Sequence, residues 1–214
     1  MTVTRNNQIR LIAKPLVFVL CLGPLLWIGG QILQGGIGPT GPLGANPIEY
    51  LNRYLGDWAL RFLILTLAVS PAVKIANAPT LIGFRRMVGL FAFFYAFMHV
   101  SSYVVLDNFF DWTAIFKDII KRNYITIGMI TLTILTALAV TSPKAVLKKM
   151  GFKKWRKLHR LVYVAGVLAV FHFFMMVKAD VREPLIYGAI VAALLGWRVW
   201  TRRKRQTPSP STGA

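Results

Sequence analysis

Apolar segments of about the roughly 20 residues that a helix needs to cross a bilayer recur along this whole 214-residue chain. Six spans are expected, at about residues 11–33, 58–77, 87–106, 123–142, 158–178 and 184–201. With 56% of all positions hydrophobic, the reading is an all-α membrane protein, a bundle of six transmembrane helices.

The charges predict its orientation, because cytoplasmic loops retain basic residues during insertion. Arg5, Arg10 and Lys14 precede the first span, and Lys74, Arg85 and Arg86 lie between the second and third. Lys144, Lys148, Lys149, Lys153, Lys154, Arg156, Lys157 and Arg160 join the fourth and fifth, and Arg198, Arg202, Arg203, Lys204 and Arg205 end the sixth. Both termini are therefore expected in the cytoplasm. The seven acids, Glu49, Asp57, Asp107, Asp111, Asp118, Asp180 and Glu183, all fall in or beside the opposite loops. The net charge of +19 thus reads as a topology signal and a basic face toward anionic lipid, with no nucleic-acid partner.

Residues 1–10 read as a cytoplasmic stub, 11–203 as one transmembrane domain, and 204–214, with Pro208, Ser209, Pro210 and Ser211, as a disordered tail. The first span is long and lacks a cleavage site, so it is taken as a retained helix rather than a signal peptide. Cys21 is alone and excludes a disulfide framework. Ile48 to Leu55 reads as a short interfacial helix, and Asp57 and Arg61, four apart, as a pair across one turn. Phe109, Phe110, Trp112 and Phe116 suit a segment at the outer interface, and the six tryptophans read as interfacial anchors. Pro143 to Arg160 spaces Val146, Leu147, Met150, Phe152, Trp155 and Leu158 between lysines, as in a helix lying on the membrane surface.

Three histidines carry the chemistry. At about 1.5 Å per residue, His99 on the third span and His172 on the fifth lie at comparable depth in the outer half, and His159 about 20 Å below His172. Parallel helices with imidazoles in one layer can hold a haem between them inside apolar walls. Phe91, Phe93, Phe94, Tyr95 and Phe97, with Phe171, Phe173, Phe174 and Met175, would form those walls. The alternative is that each histidine is hydrogen-bonded within the helix bundle or serves in a proton path.

Arg85 lies 14 residues before His99, within about 40° of the same helix face, so Arg85 and His159 would share an inner layer. His159 is 13 residues before His172, about 140° away on a straight helix. A bulge, a kink near Gly166, or a position outside the regular helix is required for His159.

These spacings resemble the ferric-reductase-like transmembrane domain shared with NADPH oxidases, except that Arg85 stands in the place of one of four histidines. More closely, residues 10 to 203 resemble the MsrQ (YedZ) family, through GDWALRFLILTLAVSP (56–71), RRMVGLFAFFYAFMHVSSYV (85–104), KKWRKLHRLVYV (153–164) and EPLIYG (183–188). The resemblance implies a multi-pass protein of the bacterial inner membrane carrying electrons through haem b. Its donor would be the quinone pool or a cytosolic flavin reductase, and its acceptor a periplasmic molybdopterin methionine sulfoxide reductase, MsrP-like. It implies one haem or two, and FMN.

On this resemblance His99 and His172 are the axial pair to the haem iron, and His159 is a second ligand or supports the flavin or quinone end. Arg85 stays protonated and cannot readily ligate; it would meet a haem propionate or flavin phosphate, or anchor its helix at the headgroups. Arg61 would meet a propionate, or merely pair with Asp57. No side chain is expected to make or break bonds, so the chain would be an electron-transfer subunit, not the catalytic one. It has no G-x-G-x-x-G fingerprint, so electrons must come from a partner or a lipid-soluble donor. Open alternatives are a ferric or cupric reductase serving external metal ions and a histidine-based proton or ion transporter.

Overall fold

The computed structural model describes residues 9–36, 38, 41–177 and 179–204. The expected disordered tail and most of the N-terminal stub lie outside them. Every regular element among the described residues is helical, and six are long and apolar enough to span a membrane: Leu11–Gly35, Pro47–Ile75, Pro79–Asp107, Asn123–Val140, Phe152–Met176 and Arg182–Lys204.

The regular part of the first span is α1 (Lys14–Gln31). It stops beyond Ile32 at Gly35, whose φ of 84° ends the helix in the left-handed region that glycine tolerates. Helix α2 (Pro47–Ile75) begins with a reciprocal cap: the Glu49 amide donates to Asn46 Oδ1 and Asn46 Nδ2 donates to Glu49 Oε2. It then runs unbroken for 29 residues. The interfacial helix expected at Ile48 to Leu55 is therefore the first part of α2; no proline separates it from Trp58, and Gly56 is accommodated within the helix.

Helix α3 (Arg85–Ser102) follows a tight turn at Pro79–Phe84. Phe109 and Phe110, at φ 46° and 63°, turn the chain into α4 (Trp112–Lys121), where the Asp111 carboxylate accepts from the Ala114 amide. Helix α5 (Asn123–Val140) leads to two short helices, α6 (Lys144–Met150) and α7 (Phe152–His159), hinged at Gly151 with φ 82°. Both lie within the stretch 143–160, whose apolar spacing is helical. Helix α7 ends at His159, and i→i+3 bonds flank Arg160 before α8 (Leu161–Met176) resumes the span. His159 thus lies outside the regular helix that carries His172, which removes the angular conflict in their spacing. Helix α9 (Arg182–Lys204) closes the bundle against α8 and α2.

Helix α2 packs along α3, and α5 along α8. The core between them is Leu55, Phe62, Leu63 and Leu67 with Val88, Phe91, Ala92, Tyr95, Leu135, Leu138, Val162 and Ala165. Many large apolar side chains face outward, among them Leu16, Phe18, Leu20, Leu65 and Ile130, as lipid-facing surfaces require.

Side chains enter the backbone ladder beside two prolines inside the bundle. Near Pro24 the fully buried Tyr95 hydroxyl enters the helix ladder, accepting from the Leu25 amide at 3.1 Å and donating to the Cys21 carbonyl at 2.9 Å. This ties α1 to the helix bearing His99. Pro71 deprives the Leu67 carbonyl of its amide partner one turn later. Arg198 Nη2 donates to that oxygen at 3.0 Å, and Nη1 donates to the Tyr163 hydroxyl at 2.6 Å.

Candidate functional site

Helices α3 and α8 bring His99 and His172 together, with ring centroids 6.3 Å apart and planes inclined at 76°. Two imidazoles that share one metal, each nitrogen about 2.0 Å from it and about 1.1 Å from its own ring centre, have centroids about 6.2 Å apart. The observed pair has that separation.

The hydrogen bonds decide which nitrogens are available. His99 Nδ1 donates to the Asn52 carbonyl of α2 at 2.9 Å, and His172 Nδ1 donates to the Tyr124 carbonyl of α5 at 2.7 Å. A carbonyl only accepts, so both Nδ1 atoms carry the proton and both Nε2 atoms keep a lone pair for a metal. Asn52 also holds the His99 backbone: its Nδ2 donates to the His99 carbonyl at 3.1 Å and to Ser102 Oγ at 2.9 Å. Among the described residues no group of three His, Cys, Asp or Glu could hold a metal ion. Two axial imidazoles suit a macrocycle that supplies the remaining donors itself.

The expected aromatic walls divide. Phe91 and Tyr95 are buried, with Phe62 stacked on Tyr95 at 5.1 Å between centroids. Phe97, Phe171, Phe174 and Met175 are exposed and form no part of the packed wall. They sit on helix faces turned away from the neighbouring core.

At the basic end of the bundle a second feature opens, a cavity of about 690 Å³. Arg85 and Arg86 from α3, Trp155, Arg156, His159 and Arg160 from the α7 region, and Arg202 from α9 line it together with Leu63, Thr66 and Leu138. Arg85 and His159 therefore share one cavity. His159 stacks on Trp155 at 3.9 Å, and its Nε2 lies 3.0 Å from Thr141 Oγ1. Because that hydroxyl donates to the Ala137 carbonyl, it accepts from His159 in this arrangement. Trp155 Nε1 donates to the Thr141 carbonyl at 2.9 Å, so both rings are fixed at the end of α5.

Arg61 departs from its expected partner. No Asp57–Arg61 ion pair forms; Arg61 Nε donates to the Tyr187 hydroxyl at 3.0 Å, and the guanidinium lies 5.0 Å from the Trp58 ring centre. Arg61 thereby joins α9 to α2 through the phenol and the indole face.

Sequence reasoning missed Asn52 and Tyr124, which act through backbone carbonyls and carry no side-chain signature for that role. It read Trp155 as an interfacial anchor on the apolar side of the surface helix, and Arg198 only as a topology charge. Pro71, four residues after Leu67, was the available signal for Arg198, since it announces a carbonyl in need of a donor.

The profile of the ferric reductase like transmembrane component family matches residues 55–170. A relative from Rhodospirillum rubrum, described as a protein-methionine-sulfoxide reductase heme-binding subunit MsrQ, is 50% identical over 197 residues, covering 91% of this chain and 92% of its own. Proteins of the same description from Caulobacter vibrioides and Xanthomonas euvesicatoria are 47% and 44% identical, over 91% and 94% of this chain and 90% and 94% of theirs.

Proposed function

Because this chain belongs to the MsrQ family of heme-binding subunits, within the ferric reductase like transmembrane proteins, we propose that it is the membrane electron carrier of a protein-methionine-sulfoxide reductase system. Its resident cofactor is haem b, with His99 and His172 as axial ligands. The observation that carries this reading is the pair of imidazoles 6.3 Å apart, each with Nδ1 spent on a carbonyl and Nε2 left over. Haem iron held by two imidazoles accepts and gives up single electrons without changing its ligands.

The protein's own groups do the rest. The Asn52 and Tyr124 carbonyls fix the tautomers and raise the basicity of both ligands. Phe62, Phe91 and Tyr95 keep the surround dry and apolar, which tunes the potential. At the basic end, Arg85 and Arg86 offer charge-assisted hydrogen bonds to carboxylates or phosphates, and Trp155 a flat apolar surface. That cavity holds a second planar, acid-bearing redox cofactor, a further haem or FMN, with His159 at its edge. Arg61 positions Trp58 and Tyr187 nearer the first site.

The basic end faces the cytoplasm of a bacterial cell whose inner membrane the helices cross, and electrons enter there from the quinone pool or a flavin reductase. The acidic end receives a periplasmic molybdopterin enzyme, MsrP-like, which performs the bond chemistry on oxidised methionine.

The test uses detergent-purified protein reduced under anaerobic conditions and mixed with that enzyme and a methionine sulfoxide peptide, or with a free ferric chelate. Reoxidation at least about tenfold faster with the enzyme supports a protein-partnered carrier; the reverse preference identifies a metal reductase, and a colourless protein overturns the redox reading altogether. A haemochrome count with flavin extraction then tests the second site. One haem and no flavin per chain would leave the inner cavity without its cofactor and refute that part.

A further inference from the structure

The two histidines are seated by the same device used twice. His99 Nδ1 donates to the carbonyl of Asn52, and a Cβ placed on Gly56, four residues on, would lie 3.2 Å from that Nδ1 and 3.3 Å from Cε1. His172 Nδ1 donates to the carbonyl of Tyr124, and a Cβ on Gly128, again four residues on, would lie 3.0 Å from both Nδ1 and Cε1. In a helix the amide of residue i+4 bonds the carbonyl of residue i, so the side chain at i+4 overhangs the oxygen the imidazole must reach. A residue without Cβ leaves that approach open, whereas a Cβ at 3.0–3.3 Å would oblige the ring to give way by a few tenths of an ångström.

We infer that Gly56 and Gly128 are positioning residues: each admits one imidazole edge-on to a helix carbonyl already used by its own ladder, and so fixes that ring's plane and tautomer. The 76° between the rings follows from two such seats on two different helices, α2 for His99 and α5 for His172. The sequence shows the device as Asn52-x-x-x-Gly56 and Tyr124-x-x-x-Gly128, a repeat in the two helices that seat the rings and themselves bear no histidine. This inference rests on the reading of His99 and His172 as haem ligands.

Gly56→Ala and Gly128→Ala test it. Alanine favours the helix over glycine, so the added methyl acts mainly through the ring it displaces. Both variants should bind haem, lose anisotropy in the low-spin ferric signal as the ring planes rotate, and show a raised midpoint potential as the Nδ1 bond lengthens and ligand basicity falls. The shift should be larger for Gly128→Ala, where both ring atoms are met at 3.0 Å. Gly23→Ala, where a Cβ meets nothing within 4 Å, should match wild type.

If an alanine variant fails to accumulate, its defect should vanish in the background lacking the ring: Gly128→Ala in His172→Ala, and Gly56→Ala in His99→Ala. A defect that persists there, or haem-replete variants with wild-type spectra and potentials, overturns the glycine assignment alone. A wild-type protein without haem would instead sink the reading on which it rests.

Discussion

Replacing either His99 or His172 with alanine removes the low-spin haem, cutting the signal per polypeptide by about tenfold or more, since even second-shell changes at metal sites cost about 10–100-fold in affinity or activity. Each ring supplies one of two axial nitrogens, and among the described residues no third His, Cys, Asp or Glu stands with the pair to replace it. The two variants should therefore behave alike, although the residues lie on different helices. His159→Ala should differ from both: its ring belongs to the cavity at the basic end, held by Trp155 and Thr141, and the low-spin signal of the other site should survive. The comparison is made by absorbance and haemochrome content per polypeptide. Full haem content in His99→Ala or His172→Ala refutes the axial assignment.

The second large effect concerns stability. Arg198→Ala leaves the Leu67 carbonyl and the Tyr163 hydroxyl without the charged donor that joins α9 to α2 and α8. Hydrogen bonds to charged groups are worth about 1.5–3 kcal/mol, so a loss of about 3 kcal/mol is expected. In a chain of this length that lowers the melting temperature by about 6 °C or more. Pro71→Ala restores a backbone amide opposite Leu67, and should recover about 1 kcal/mol in the Arg198→Ala background while doing less in wild type, whose carbonyl is already paired. Thermal melts of the four proteins in detergent form the double-mutant cycle. Equal increments from Pro71→Ala in both backgrounds would show that Arg198 does not serve that carbonyl.

The six spans could be read from the sequence because their lengths and apolar content are set by the solvent they cross. The start of α2 was harder. Ile48 to Leu55 reads as an interfacial helix separate from a span beginning near 58, yet one continuous helix runs through both. His99 and His172 were legible because ionisable rings in apolar segments are costly and depth can be counted along a helix. Their seats were not, since what holds each ring is a carbonyl, and every residue has one. The partner expected for Arg61 came from local spacing, whereas Tyr187 reaches it from 126 positions away. Arg85 and His159 meeting at one cavity depends on the break at Arg160, which no glycine or proline marks.

The most direct test is the low-temperature paramagnetic resonance spectrum of the oxidised wild-type protein, with haem counted on the same sample. Two nearly perpendicular imidazoles on one iron predict a strongly anisotropic low-spin signal that added cyanide does not readily displace. A high-spin signal from an iron with an open position, converted promptly by cyanide, would contradict the joint ligation by His99 and His172.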